Sequence, residues 1–306
     1  MGRVFVMLIG LVWLGLLAAC RPEEEADFLP TSPSPPASPS TPSIVPTPRP
    51  TATSTPAPTP TEEASTVTLT VVYDNNPYDP ALQTGWGFAC WVEAPQGVVL
   101  FDTGGDGPTL LGNLARLGLD PASVDVVVLS HIHGDHTGGL GGLLDAGARP
   151  TVYVPSAFPG AFKEAVRART ALVEVTGPME ILPGIYTTGP VGSSIVEQAL
   201  AVETGEGLVV VTGCAHPGVA EMVRRAKEAT GEGVALVMGG FHLGGASRSQ
   251  VGAVIDDLRS LGVRRVAPCH CTGDLARRMF AETFGADFFP AGVGWTIALE
   301  EADDVD

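Results

Sequence analysis

Basic side chains are scarce in this chain: 17 Lys and Arg stand against 34 Asp and Glu, a formal net charge of −17. Phosphate backbones are gripped by clustered cations, so this balance excludes nucleic acid as a partner. Part of the acidity is a solvated run at residues 300–306. Cysteine is scarce as well, with five in the chain. Cys20 lies far from the others, and Cys90, Cys214, Cys269 and Cys271 are too few and too gathered around His216 and His270 for a disulfide framework. A Cys269–Cys271 bridge would be strained. No Gly-x-Ser-x-Gly stretch is present, which removes the usual serine-nucleophile chemistry. No internal repeat is evident.

The apolar run at the start of the chain falls a little short of a membrane span. The apolar run at residues 4–19 follows a single basic residue, Arg3, and is short beside the roughly 20 apolar residues that a bilayer core needs. It ends in Leu17-Ala18-Ala19-Cys20. Small residues before a cysteine read as a lipobox, so residues 1–20 are expected to be a lipoprotein signal peptide with Cys20 as the lipidated position. A single membrane anchor is the alternative, and either places the rest outside the cytoplasm, attached to a membrane. Residues 21–65 offer almost no apolar side chains. Their Pro, Ser and Thr, after Glu23-Glu24-Glu25, predict a disordered, extended linker. Residues 66–306 are long enough for one substantial core.

Against these absences stands His131-Ile132-His133-Gly134-Asp135-His136, directly behind the apolar run at residues 124–129. Two imidazoles two residues apart in an extended turn can reach one cation, while the carboxylate and the third imidazole turn toward a second. The chain has only six histidines. The other three are His216, His242 and His270, each just after a short apolar, β-branched run at residues 208–211, 234–238 and 263–267. In open α/β architectures the loops leaving the carboxyl ends of strands build the site. A lone histidine is more often an ordinary hydrogen-bonded imidazole, but a whole complement in strand-exit turns predicts a metal-dependent enzyme.

The remaining pattern fixes the fold class. Residues 67–73, 88–92 and 98–101 read as strands, the last two as a hairpin around Ala94-Pro95-Gln96-Gly97. Helices are predicted over 109–117, 219–229, 249–261 and 275–284. Sheet early and strand–helix alternation later suit an α/β (α+β) fold of two sheets packed face to face, with helices on the outer faces.

The His-x-His-x-Asp-His run resembles that of the metallo-β-lactamase fold hydrolases. Leu100-Phe101-Asp102-Thr103-Gly104, Gly213-Cys214-Ala215-His216-Pro217-Gly218, Gly239-Gly240-Phe241-His242-Leu243 and Pro268-Cys269-His270-Cys271-Thr272-Gly273 resemble the 7,8-dihydropterin-6-methyl-4-(β-D-ribofuranosyl)aminobenzene-5'-phosphate synthase-like subgroup. The resemblance implies a four-layer αββα sandwich over residues 66–306. It implies His131, His133 and His216 around a first metal, and Asp135, His136 and His270 around a second. Asp102 would be the buried carboxylate supporting them. Cys214 stands where the superfamily often has a bridging acid, which leaves a thiolate, a water or an ordinary buried cysteine open there. Asp135 and His242 are the candidates for proton transfer or substrate contact. The donors suit two divalent ions, zinc first, with iron or manganese as alternatives.

The function expected is hydrolysis of a small ester, lactone or phosphodiester by a metal-activated water. The alternatives are a synthase-like transferase, or a non-catalytic metal- or solute-binding lipoprotein. Trp86 and Trp91 are aromatic residues near the site, and strand aromatics are more often core.

Overall fold

A computed structural model of the chain describes residues 66–302. The expected signal peptide, the expected lipidation position Cys20 and the expected linker lie outside the described residues. Within them, the first half of the chain supplies β1 (Thr66–Asp74), β2 (Phe88–Ala94), β3 (Gly97–Phe101), α1 (Gly107–Leu117), β4 (Val126–Val128), α2 (Gly134–Thr137), α3 (Leu140–Asp145), β5 (Thr151–Pro155), α4 (Gly160–Arg167) and β6 (Leu172–Val175). The second half supplies β7 (Met179–Leu182), β8 (Ile185–Thr187), β9 (Leu200–Val202), β10 (Leu208–Thr212), α5 (Val219–Thr230), β11 (Val234–Gly240), α6 (Arg248–Ser260), β12 (Arg265–Cys269), α7 (Asp274–Phe284) and β13 (Thr296–Glu300).

The strands form two sheets, ordered β13-β1-β2-β3-β4-β5-β6 and β12-β11-β10-β9-β8-β7. Period-two alternation sorts their side chains into layers. In β2, Phe88, Cys90 and Val92 enter one cluster with Val209 and Val211 of β10 and Leu236 and Met238 of β11, so this cluster fills the space between the sheets. The alternate residues Ala89 and Trp91 pack instead under Leu110 and Leu114 of α1 and Leu140 and Leu143 of α3. On the far side, Leu208, Val210 and Val237 meet Met222 and Val223 of α5, Val251 and Ile255 of α6 and Phe280 of α7. The result is the αββα sandwich. Burying each such valine, leucine or phenylalanine contributes roughly 1.5–3 kcal/mol, and three clusters stacked in register fix the order of the layers.

Local signals set the helix ends. Asp106 caps α1 by accepting from Thr109 N at 2.8 Å, with Pro108 in the first turn and Gly118 at φ 73° closing the helix. Ser247 and Gln250 form a reciprocal capping box on α6.

What matters for the site is polarity. β3, β4, β5 and β6 run parallel, as do β10, β11 and β12. The turns after β3, β4, β10, β11 and β12 carry Asp102, His131 to His136, Cys214 to His216, His242 and His270, and the two sheets bring them to one rim. Gln198, fully buried just before β9, stitches that rim across the sheets: its backbone N–H donates to Ser130 O at 3.0 Å and its side-chain amide to Leu129 O at 2.9 Å. Among the described residues no helix is long and apolar enough to cross a membrane.

Candidate metal centre

The chain turns back two residues after β4, at Ser130. Ser130 donates its hydroxyl to Asp102 Oδ2 at 2.7 Å, and its backbone N–H donates to Asp102 Oδ1 at 2.7 Å. Having spent its proton there, Ser130 Oγ accepts from His131 Nδ1 at 2.9 Å. His131 therefore carries its proton on Nδ1 and presents a lone pair on Nε2. His133 is the N-cap residue of the short helix α2, with extended backbone at φ −61° and ψ 146°, and its Nδ1 comes to 3.1 Å from that Nε2. One turn of α2 then carries Asp135 and His136 inward.

The same device recurs at three more histidines. His136 Nδ1 donates to Asp102 Oδ2 at 2.7 Å. His216 Nδ1 donates to Glu197 Oε2 at 2.9 Å. His270 Nδ1 donates to Asn75 Oδ1 at 2.9 Å, while Asn75 Nδ2 donates back to His270 O at 3.2 Å. In each case a protein acceptor takes the Nδ1 proton and leaves the Nε2 lone pair for the interior, the arrangement in which supporting groups orient metal-binding imidazoles. His270 Nε2 is buried without a hydrogen-bond partner, with Asp135 Oδ2 3.5 Å away. A buried lone pair without a donor is costly in a metal-free pocket, and a cation satisfies it.

Two donor sets result, each with its ligand atoms within 4.8 Å of one another: His131, His133 and His216, and Asp135, His136, Cys214 and His270. The structure thus gathers all six residues read from the sequence as ligands, and adds Cys214 to the second set. Cys214 Sγ lies among the donor atoms of that second set. Fully buried Glu197 accepts from the backbone N–H groups of Cys214, Ala215 and His216 at 2.8, 2.8 and 2.9 Å. That curls the turn and aims Cys214 Sγ at His136 Nε2, 3.3 Å away. Close approach at this turn needs Gly213, because a Cβ there would lie 2.1 Å from Ser130 Oγ and 2.8 Å from Asp102 Oδ2.

Sequence reasoning passed over Asp74, Asn75, Ser130, Glu197 and Cys271. Asp74 Oδ2 accepts from His270 N at 3.0 Å and completes the clamp on that turn. His242 stands apart from both sets, its ring 4.4 Å from that of His216. Its neighbours are Cys214 and Cys271, all three ligand atoms lying within 4.8 Å. Trp86 is 63% exposed and leans over His270 at 5.1 Å between ring centroids, whereas Trp91 is core.

Electrostatics follow from burial and pairing. Burial drives the His131 imidazole down to about 2, so it stays neutral. Burial opposes a charge on Asp135, yet His270 and His136 hold its carboxyl below the usual range. Burial likewise opposes ionisation of Glu197, but His216 and the turn's N–H groups bring it to about 2. A hydrogen bond with Cys214 pulls the Cys271 thiol down to about 4, and the same bond with burial pushes Cys214 up.

Backbone strain concentrates in the same loops. Among the described non-glycine residues, left-handed φ occurs at Asp102 (59°), Ala215 (58°), His242 (50°) and His270 (47°). Each costs on the order of 1–3 kcal/mol and persists where surrounding structure over-determines it.

Comparison with known proteins agrees with this architecture. The sequence profile described as Metallo-beta-lactamase superfamily matches residues 87–227. The 7,8-dihydropterin-6-methyl-4-(beta-D-ribofuranosyl)-aminobenzene-5'-phosphate synthase of Methanocaldococcus jannaschii is 32% identical over 236 residues, a match covering 62% of this chain and 80% of that relative. An uncharacterized protein of the same organism is 26% identical over 236 residues, covering 67% and 90% of the two chains. A solved structure described as a metal-dependent hydrolase of the beta-lactamase superfamily superposes with a TM-score of 0.64 at 27% identity, covering 77% of this chain and all of that one, 100%. A diphosphatase from the PhnP family, with a TM-score of 0.52 at 17% identity over 78% and 98% of the two chains, shares the fold alone. A chain that covers four-fifths of the archaeal synthase, matches the profile through its first ligand loops and folds as an αββα sandwich belongs to the metallo-β-lactamase superfamily.

Proposed function

We propose that this protein is a metal-dependent hydrolase of small ester, lactone or phosphodiester substrates. The observation that carries the reading is the uniform anchoring of Nδ1 at His131, His136, His216 and His270, which leaves four Nε2 lone pairs aimed at two adjoining sets of donors. His131, His133 and His216 would hold one divalent ion, and Asp135, His136, Cys214 and His270 a second. Imidazole with carboxylate and thiolate suits zinc, and the imidazole and carboxylate donors also accept iron or manganese. Ions so bound supply Lewis acidity toward a carbonyl or phosphoryl oxygen and lower the pKa of water to about 7.

The chain's own groups do the rest. Asp135, ionised and partly open to solvent, orients a water's O–H and accepts its proton. His242 is exposed at the rim beside His216, and hydrogen bonding to Cys271 raises it above the ordinary imidazole value, so it can donate a proton to a departing alkoxide. A pocket of about 360 Å³ beside His216, walled by Val191 to Ile195, Pro217, Glu221 and Arg225, is large enough for a small substrate. Trp86 and Ile132, 63% and 36% exposed, give the opposite lip an apolar character. A larger cavity of about 500 Å³ opens at the other end of the strands, near the β8 and β10 starts, away from these donors.

The name of the archaeal relative favours a second reading, a synthase-type transferase. Steady-state assay of the metal-loaded full chain separates the two. The hydrolase reading predicts turnover of ester or phosphodiester substrates with no second organic substrate, lost by at least ~10²-fold in Asp135→Ala. Turnover that begins only when a second organic substrate is added would favour the transferase.

The extracytoplasmic lipid anchor at Cys20 is proposed on Leu17-Ala18-Ala19-Cys20 alone. Labelled fatty acid should enter the wild-type chain and not Cys20→Ala; equal labelling of both would refute it.

A further inference from the structure

We propose that Cys214, His242 and Cys271 form a third donor set, which takes a thiophilic d¹⁰ ion beside the two sets described above. The ligand atoms of these residues lie within 4.8 Å of one another. They converge from the turns after β10, β11 and β12, so three parallel strands fix their spacing. Two sulfurs and one imidazole nitrogen are a soft donor set, distinct from the imidazole–carboxylate character of the rest of the rim. Cys214 is buried, Cys271 is partly exposed and His242 is exposed, so the set opens outward and leaves a position for an outside ligand.

Independent features of the backbone build this corner. His242 holds a left-handed conformation at φ 50°, unusual for histidine, although neither of the first two sets uses it. Its ring is thereby brought to the sulfurs. Gly240 provides the room: a Cβ there would come within 2.8 Å of Cys271 Sγ and 3.2 Å of Cys214 Cα. Cys271 Sγ also reaches Cys214 O at 3.7 Å, which ties the two turns together. Cys90 and Cys269, the other described cysteines, are fully buried and take no part in this donor set. Cys214 Sγ belongs to both the second and the third sets. Occupation of the third therefore makes Cys214 a shared ligand, leaves Asp135, His136 and His270 to the second, and engages the His242 nitrogen, so that His242 donates a proton only while the third set is empty.

The test uses the metal-free full chain, kept reduced with a phosphine and titrated with Cd²⁺, with the thiolate-to-cadmium absorbance read per chain. In Cys271→Ser the absorbance should fall to about half, because one of two ligating sulfurs is lost, and in the Cys214→Ser/Cys271→Ser double variant it should vanish. His131→Ala and His270→Ala should each keep the full absorbance, which separates this set from both donor sets of the proposed hydrolytic centre. Unchanged absorbance in Cys271→Ser would overturn the proposal. Cadmium-113 NMR of the wild type needs no substitution and guards against a variant that fails to fold. A resonance in the range of mixed thiolate–imidazole coordination is expected, and its absence under saturating Cd²⁺ would also overturn the proposal.

Discussion

Asn75 holds His270 at two points, accepting from the ring Nδ1 and donating to the backbone carbonyl, and so fixes both the tautomer and the direction of Nε2. The pair lies 195 residues apart in sequence, and an Asn75-Asn76 step after a strand carries no motif, so nothing short of the fold exposes the partnership. Glu197 is hidden for a related reason: it follows an unremarkable Ser-Ser-Ile-Val stretch, and only the curl of the 214–216 turn around its carboxylate shows its use. The histidines, by contrast, are legible from sequence. Each follows an apolar β-branched run, and strand polarity then dictates that these loops meet at one rim. Replacing Asn75 by Ala removes the anchor without touching a ligand. Supporting groups of this kind are worth roughly 10–100-fold in metal affinity. Chelator competition should register that loss, with the unfolding temperature of the metal-free protein nearly unchanged.

At the scale of elements, the buried strands β4, β10 and β11 are legible as short apolar runs rich in valine, because both their faces are covered. The edge strands β6 and β7 are not. Apart from buried Val175 their side chains are half-buried or exposed, with Glu174 and Glu180 within them, and no clean alternation marks them. Residues 172–202 thus fold as four strands that no alternation in the sequence announces. The turn between β10 and α5 depends on Glu197, and the dependence has a pH sign. Its carboxyl falls from an ordinary 4.5 to about 2 in the fold. A depressed carboxylate contributes stability that is complete above its unfolded value and drains away as pH falls through the folded value. Urea unfolding of the metal-free full chain should therefore weaken between about pH 5 and 2. In Glu197→Gln the stability should start lower at neutral pH and decline less steeply over the same window. Parallel acid limbs in the two proteins would show that the carboxylate does not hold the turn.

At the scale of the whole molecule, two sheets contribute unequally to one site. The first brings Asp102, Ser130 and the His131–His136 turn; the second brings Glu197, Cys214, His216, His242 and His270. Neither sheet alone holds either of the first two donor sets, since His216 must meet His131 and His133, and His270 with Cys214 must meet Asp135 and His136. The inter-sheet core of β1, β2, β10 and β11 therefore has a functional consequence: it sets the separation at which the half-sites close. Sandwich architecture is legible from the strand–helix rhythm, whereas this division of labour between sheets emerges only from the pairing order.

The account rests on two adjoining donor sets, and metal content per chain tests it most directly. Mass spectrometry on the full chain loaded with Zn²⁺ and freed of weakly held ions should find that His133→Ala and His270→Ala each lose one ion relative to wild type, with both variants still folded. Equal metal content in all three proteins would contradict it.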